Sequence, residues 1–241
     1  MGTLVVGANG ATGRLLVEQL LSQGQKVSVI VRSAEALPDI LKDNNLLTIT
    51  VGSLLDMSDA ELLKQVENCS AVVSCLGHNL TIKGLFGQPR RLVTEVAKKL
   101  CRAIERSTPR TRVKYILMNT TGNQNTQAGE RVSIAESIVI RLIRHLLPPH
   151  ADNELAAAYL QSNFGTYQKV IEWVAVRPDS LVDEAFVTKY DVYPSPIRSA
   201  VFDAGKTSRI NVAHFMSELV VKNNVWEKWK CQMPVIYNTK M

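Results

Sequence analysis

Two hydrophobic periods follow one another along this chain. Short runs of apolar and β-branched residues predict strands, and longer stretches with apolar residues every three or four positions predict helices. The predicted strands span residues 3–6, 27–31, 46–51, 71–75, 113–118, 172–177, 209–211 and 234–237. The predicted helices include the run with Leu15, Leu16, Leu20 and Leu21 and residues 58–67, 89–106, 131–147, 152–163 and 212–221. Ser58 and Asp152 are candidate N-caps of the helices that begin there, and Pro148 and Pro149 end the helix at 131–147.

Three glycines spaced three apart lie between the first strand and the first helix. Gly7 allows a tight exit from the strand, Gly10 lets the backbone approach a diphosphate, and Gly13 lets the helix sit close to the sheet. Free N–H groups at the helix start, around residues 11–13, present a partial positive charge to such an anion. This order predicts the first half of a dinucleotide-binding βαβ unit.

Strands and helices alternate to the end of the chain, without internal repeats, low-complexity tracts or linkers. A length of 241 residues is enough for one α/β domain with a full core. We therefore predict a single Rossmann-type domain over residues 1–241, with a doubly wound, mostly parallel sheet.

The end of the second strand predicts which dinucleotide binds. NAD-binding proteins usually place a carboxylate there, about 20 residues beyond the glycines, to accept the ribose 2′-hydroxyl. This chain has Arg32 and Ser33 instead, and the first acidic residue, Glu35, belongs to the next segment. A guanidinium pairs well with a 2′-phosphate, and Arg14 supplies a second positive group. The pattern favours NADP as cofactor; the alternative is that Arg32 is an ordinary solvated arginine.

Composition is that of a globular protein, with 46% hydrophobic and 21% charged residues. The formal net charge is +6, but the basic residues are dispersed beside acidic ones and form no stripe with aromatic residues. A nucleic-acid surface is therefore not expected, and an anionic cofactor or substrate is a sufficient reason for the positive excess.

Other classes of protein are also disfavoured. No apolar run reaches the ~20 residues that a membrane span requires, and the first strand begins too early for a leader segment. The cysteines form no CxxC pair and are expected to be reduced, mostly buried thiols of a cytoplasmic protein: Cys69, Cys75, Cys101 and Cys231. No metal-ligand spacing occurs among the scattered histidines, so no metal is predicted.

Six short motifs in a fixed order give the chain a family resemblance. They are GANGATG at the start, VRS after the second strand, GSLLD at 52–56, SCLG at 74–77, NTTG at 119–122 and WVAVRPDSL at 173–181, with INVAHFMSELV near the end. Together they resemble the atypical short-chain dehydrogenase/reductases, in particular the NAD(P)-binding, NmrA-like and flavin reductase-like branch. The resemblance covers essentially the whole chain.

The resemblance implies roles for residues along one edge of the sheet. The diphosphate would be wrapped by Gly7, Asn9, Gly10, Ala11, Thr12 and Gly13, with Arg32 and Ser33 at the 2′-phosphate and Leu55 and Asp56 at the adenine. Ser74, Cys75, Leu76 and Gly77 would line the ribose on the nicotinamide side. Asn119, Thr120 and Thr121 would sit at the nicotinamide, with Arg177 and Pro178 closing its far side. The alternatives are a turn role for Asp56 and strand-end packing for Ser74 and Cys75.

The chain differs from the main branch of short-chain dehydrogenase/reductases, whose proton donor is the tyrosine of a Tyr-x-x-x-Lys pair. None of the six tyrosines has a lysine four residues later, so the Tyr-x-x-x-Lys pair is missing. Thr120 and Thr121 are candidates to orient a substrate oxygen, and His78, which titrates near neutrality, is a candidate acid. A surface role is the alternative for His78. Tyr193, in a proline-rich segment, is either a lid residue or a packed turn residue.

Two functional classes follow. The first is an NADPH-dependent oxidoreductase acting on a small organic acceptor of the quinone, flavin or carbonyl class, with a pocket contributed by residues 119–165 and 179–206. The second is a non-catalytic NADP(H)-binding redox sensor of the NmrA type. A nucleotide-sugar epimerase or dehydratase ranks last, because it would use the missing tyrosine. We expect a small-molecule substrate, no nucleic acid or membrane partner, and a monomer or homodimer.

Overall fold

The computed structural model describes residues 1–77, 88–165 and 170–239. The strands are β1 (Gly2–Val6), β2 (Val27–Val31), β3 (Leu47–Val51), β4 (Cys69–Ser74), β5 (Val113–Met118), β6 (Ile171–Pro178), β7 (Ser180–Val182), β8 (Tyr190–Tyr193), β9 (Lys206–Ser208) and β10 (Val235–Asn238). The helices are α1 (Ala11–Ser22), α2 (Asp39–Lys42), α3 (Asp59–Val66), α4 (Leu92–Arg106), α5 (Ile134–Leu146), α6 (Pro148–Asn163), α7 (Arg209–Val221) and α8 (Asn223–Trp229), with a 3-10 turn at Thr126–Ala128.

The central sheet has the order β3-β2-β1-β4-β5-β6-β10-β8. Its pairings are parallel except that of β10 with the edge strand β8. The winding reverses between β1 and β4, which is the point where open α/β sheets bind their ligands, at the carboxyl ends of the strands. The predicted doubly wound α/β fold is therefore confirmed.

Helices cover both faces of the sheet. One apolar cluster packs α3, α4 and α6 onto the strands and buries Leu100 and Tyr115 completely. The other packs α1, α7 and α8 onto the opposite face and buries Leu16 and Met216. Strands covered on both sides read as nearly continuous apolar runs, which is why β5, whose one charged residue is Lys114, was recognisable from its sequence. With both faces covered, the strand ends are left for a ligand.

Most predicted elements are confirmed within a few residues, but the C-terminal third differs. Residues 209–211, predicted as a strand, form the first turn of α7, and the strand lies earlier, as β9. The reason is the Ser208 hydroxyl, which accepts a hydrogen bond from the Asn211 N–H at 3.3 Å and so starts the helix at residue 209. Helices α2 and α8, strands β7 and β8 and the 3-10 turn at Thr126–Ala128 were not predicted.

Two expected helix caps have different outcomes. Ser58 caps α3 in a full capping box with Glu61, as predicted. The prediction for Asp152 was wrong, because α6 begins at Pro148 and contains Asp152. The Asp152 carboxylate accepts instead from the N–H groups of Val93 at 2.8 Å and Thr94 at 2.9 Å. It therefore caps α4, a neighbour in space that lies about 60 residues earlier in the chain.

Candidate functional site: a nucleotide cleft and a polar cavity

The turn after β1 is too tight for a side chain. Gly7 has φ of +82° and an added Cβ would lie 2.6 Å from the Cys75 carbonyl carbon. An added Cβ on Gly13 would overlap the Gly7 carbonyl oxygen. These contacts bring α1 directly against the ends of β1 and β4, as the glycine spacing predicts.

The start of α1 is open to an anion. Its N-cap residue is Gly10, which has no side chain, and no other side chain of the described residues accepts from its first N–H groups. No acidic residue lies in the first turn. Gly10 and Ala11 are exposed at this end. A helix start with free N–H groups and no competing carboxylate is a ready anion-binding position.

Asn9 connects this turn to the end of β2. Its Nδ2 donates to the Ser33 carbonyl oxygen at 2.9 Å. Its Oδ1 is buried and, among the described residues, accepts no hydrogen bond. The contact holds Arg32 and Ser33 beside the glycine turn, where the sequence analysis expected both.

Arg32 is exposed and lines the same cleft as the glycine turn. Within the described ranges, the guanidinium groups of Arg32 and Arg14 make no ion pair. The Arg32 guanidinium is thus free to meet an anionic ligand in the cleft, whereas Arg14 is not among the residues that line it.

The cleft itself has a volume of about 310 Å³. Of the predicted site residues, its lining includes Gly7, Asn9, Gly10, Arg32, Leu55, Cys75, Leu76 and Gly77. It also includes residues to which the sequence motifs gave no individual role: Ala8, Ile30, Val31, Gly52, Ser53, Leu54, Pro89 and Leu92. Gly52 and Ser53 follow β3 directly, so their position at a strand end was the available signal.

Some predicted residues lie outside the cleft lining. Asp56 is exposed in the turn that leads into α3, where its N–H donates to the Ser53 carbonyl at 3.0 Å. Ser74 is buried in β4. Cys75 does line the cleft, but burial raises the pKa of its thiol to about 12, so it is a protonated packing group and no nucleophile.

The loop after β5 is held by its own polar groups. Asn119 is buried, donates from Nδ2 to the Asn153 carbonyl at 2.9 Å, and accepts from the Thr120 N–H at 2.8 Å. These contacts fix the loop against α6. Thr120 is half-buried, and its hydroxyl accepts a long hydrogen bond of 3.4 Å from the Gly122 N–H. Thr121 is buried and its N–H donates to the Pro178 carbonyl at 3.1 Å.

Arg177 is 0% exposed and all of its partners belong to the protein. It donates to the Met233 carbonyl at 2.7 Å, to the Asn123 carbonyl at 2.8 Å and to both carboxylate oxygens of Glu130. Burial by itself would raise the pKa of Glu130, but the hydrogen bonds and charge of Arg177 lower it below its ordinary value. Arg177 therefore anchors the loop after β5, and Pro178 is buried beside it.

A second cavity of about 390 Å³ opens next to this loop. Its walls are Thr121, Gln124, residues 128–133, Glu136, Ile140, Ser195, Pro196 and residues 198–200. These residues come from the two segments, 119–165 and 179–206, in which the sequence analysis expected a pocket. We refer to it below as the polar cavity. It shares no lining residue with the nucleotide cleft.

The structure places only one of the two remaining candidates, His78 and Tyr193. His78 lies outside the described residues. Tyr193 lies at the end of β8 and pairs with Val235 in the sheet, with its ring 6.1 Å from that of Tyr237. It is thus a sheet residue in this structure.

His150 was missed in the sequence analysis. It lies in the first turn of α6, and its Cε1 would be 3.0 Å from a Cβ added to Gly122. Its Nε2 lies 3.3 Å from Glu154, which also binds Arg144. Burial would raise the pKa of Glu154, but the contacts with His150 and Arg144 lower it. The predicted helix began at residue 152, which left His150 outside it. Because the helix begins at residue 148, His150 lies in its first turn, beside this loop.

In the part of the chain that the structure describes, no helix is long and apolar enough to cross a membrane. Nor do three or more potential metal-binding side chains cluster among those residues.

Known structures share the fold. The chain superposes on the oxidoreductase ylbE from Lactococcus lactis with a TM-score of 0.68 at 18% identity, covering 100% of this chain and 92% of that one. ChuY, an anaerobillin reductase from Escherichia coli O157:H7, gives 0.69 at 15% identity, covering 100% and 98%. A short-chain dehydrogenase/reductase from Veillonella parvula in complex with NADP gives 0.67 at 14% identity, covering 98% and 94%. At these identities the likeness concerns the fold alone. No curated protein matches the sequence.

Family membership is established over most of the length of the chain. The match to the NAD(P)H-binding family extends over residues 7–223, from the first glycine of the open turn to the first residue of α8. Those residues include the whole nucleotide cleft and the whole polar cavity. The chain therefore belongs to the NAD(P)H-binding family.

Proposed function

We propose that this protein is an NADPH-dependent oxidoreductase that acts on a small organic acceptor of the quinone, flavin or carbonyl class. The observation that carries the proposal is the combination, in one cleft, of a helix start at Gly10 and the Arg32 guanidinium, both without a side-chain partner among the described residues. The first suits a diphosphate, and the second suits a further phosphate on the adenosine ribose.

The preference for NADPH over NADH follows from the groups at the end of β2. An NAD-binding site needs an acceptor for the ribose 2′-hydroxyl, and a guanidinium has none. Glu35 is exposed in the next segment, where its N–H donates to the Ser33 hydroxyl at 3.2 Å. The charge at this position is therefore positive, which favours the cofactor with the extra phosphate.

The bound cofactor would supply the hydride, and the chain would supply binding, position and exclusion of water. The roles proposed for Thr120 and Thr121 are to hold an oxygen of the substrate, because their hydroxyls are weak acids but good hydrogen-bonding groups. Thr121 also lines the polar cavity, which is why we propose that the substrate enters there. Proton donation is proposed for His78 or for water.

Calorimetry with NADPH and NADH, followed by turnover with a panel of quinones, flavins and dicarbonyls, tests the proposal. We expect NADPH to bind more tightly than NADH, and NADPH to be oxidised in the presence of at least one acceptor. If neither coenzyme releases heat on mixing, the proposal fails.

A second candidate function is an NADP(H)-binding redox sensor of the NmrA type. It is favoured by the lack of a Tyr-x-x-x-Lys pair in the sequence, which leaves the chain without the usual proton donor. This candidate predicts tight NADP(H) binding with no turnover of any acceptor, so the same experiments separate the two.

We also propose a cytoplasmic location and a monomeric or homodimeric state. All four cysteines are free thiols, which suits a reducing compartment. Size-exclusion chromatography with light scattering, at two protein concentrations, tests the oligomeric state.

A further inference from the structure

Glu136 lies in the first turn of α5 and lines the polar cavity. It is only 6% exposed. Even so, within the described residues its carboxylate has no hydrogen-bond or ion-pair partner. Its backbone N–H donates to the Ser133 hydroxyl at 3.1 Å, which starts the helix and leaves the side chain free.

The neighbouring charges of the cavity do not neutralise this carboxylate. Glu130 is fully engaged with Arg177. Arg198 lies 3.3 Å from Asp203. Arg131 is exposed, and it forms no ion pair within the described ranges. Glu136 is thus a buried acceptor in a cavity whose other buried charges are already paired.

A buried carboxylate normally receives hydrogen bonds, because leaving it bare costs free energy. The start of α5 stabilises its negative charge through the helix dipole, but it donates no proton to the carboxylate oxygens. Neither carboxylate oxygen of Glu136 belongs to the fully buried, unpartnered polar atoms of the described residues, so the carboxylate is reached from the cavity. An otherwise buried carboxylate that is accessible only from a cavity of ligand size is typical of a binding site.

We propose that Glu136 accepts an N–H or O–H of the substrate, and that the polar cavity selects planar carbonyl compounds that carry such a donor. The inference rests on the proposed function and narrows its substrate class. A ring N–H beside a carbonyl, as in an isatin or in the flavin ring, can donate to Glu136. Simple quinones and aldehydes carry only hydrogen-bond acceptors. Their carbonyl oxygens, which bear a partial negative charge, would be repelled by the carboxylate.

Two matched pairs of probes test this selection: isatin with N-methylisatin, and lumiflavin with N3-methyllumiflavin. In each pair the methyl group removes the donor and leaves the carbonyl groups. Binding is measured by calorimetry in the presence of NADP⁺, with which no reduction occurs. We expect at least one parent compound to bind at least about tenfold more tightly than its methylated partner, the effect of one hydrogen bond to a charged group.

Variants separate recognition by Glu136 from simple steric exclusion of the methyl group. In Glu136→Ala the discrimination should disappear, because the parent compound loses its acceptor. Glu136→Gln keeps an acceptor oxygen without the charge and should discriminate less than the unchanged protein. Glu67→Gln, an exposed change at the end of α3, should leave both affinities as they were.

Equal affinities within both pairs, no binding of either parent, or discrimination that survives in Glu136→Ala would each overturn the inference. Coenzyme titrations on the same samples distinguish that result from a failure of the proposed function, which would abolish NADPH binding as well. Thermal unfolding is an independent readout. The only stabilising interaction of this carboxylate within the described residues is with the start of α5, so Glu136→Gln should lower the melting temperature by no more than about 2–4 °C, whereas loss of a structural carboxylate would lower it further.

Discussion

Arg177 and Glu130 form a buried, two-pronged ion pair: Nη2 donates to Oε1 at 2.6 Å and Nη1 donates to Oε2 at 2.8 Å. Arg177 belongs to β6, and Glu130 belongs to the segment between β5 and α5. The pair therefore ties that segment, which forms a wall of the polar cavity, to the carboxyl end of β6.

Breaking this pair from one side should be costly. Glu130→Leu leaves a buried guanidinium without its counter-charge, and we expect a loss of about 3–5 kcal/mol in the free energy of unfolding. The double change Glu130→Leu with Arg177→Met should recover much of it, because neither charge is then left alone. Urea unfolding of the unchanged protein and the two variants measures this, and a loss below about 1 kcal/mol in Glu130→Leu would contradict it.

The same pair predicts a pH dependence of stability. Because the pKa of Glu130 is lowered in the folded protein, its contribution is fully present above the ordinary glutamate pKa. It is lost as the pH falls from there through the lowered folded value. Stability measured between pH 6 and about pH 3 should therefore fall less steeply in Glu130→Gln than in the unchanged protein. Identical slopes would count against the ion pair.

Arg32→Asp should reverse the choice of coenzyme. We expect NADPH binding to weaken by about 2–3 kcal/mol, the size of a lost charge-assisted contact, while NADH binding is unchanged or improved. Arg110→Asp is the matched control, because Arg110 precedes β5 and so lies at the amino ends of the strands, away from the cleft. Calorimetry with both coenzymes measures the change, and an equal loss for both would make Arg32 a structural residue.

Gly13→Ala should damage the nucleotide cleft even though alanine favours helices. The added methyl group overlaps the Gly7 carbonyl oxygen, so α1 must move away from β1. We expect a net loss of about 1–3 kcal/mol in stability and a loss of coenzyme affinity. Gly165→Ala meets no atom within 4 Å and is the control. Unchanged NADPH affinity in Gly13→Ala would contradict the proposed diphosphate position.

Asp152→Ala should loosen the start of α4. The change removes the acceptor of two helix N–H groups, and we expect a loss of about 2 kcal/mol. Ser58→Ala, at the exposed cap of α3, should cost about 1 kcal/mol or less. Hydrogen exchange by NMR locates the effect: the N–H groups of Val93 and Thr94 should exchange faster in Asp152→Ala only.

Much of the fold was predictable because local patterns carried it. Mostly apolar runs marked strands such as β5, and the glycine spacing marked the turn between β1 and α1. Prediction failed where the deciding contact was not local. Asp152 resembles a cap for its own helix, but its carboxylate reaches α4, and no sequence pattern near residue 152 indicates that contact.

The polar cavity also combines features that local sequence patterns predict with contacts that only folding creates. Its two segments were expected from their position after β5 and before α7. The individual roles of Arg177, Glu130 and Glu136 were not, because they depend on which charges meet in space. Arg177 was expected at the ligand, yet its guanidinium is occupied by Glu130 and by backbone carbonyls.

The sequence alone determined most of the strands and helices, the open turn at Gly7–Gly13 and the positive charge after β2, since each depends on residues close together in the chain. The tertiary structure decided which charged side chains are paired and which are left free. Pairing depends on distances between segments that only folding brings together. This distinguishes Glu136, which has no partner among the described residues, from Glu130, only six residues earlier.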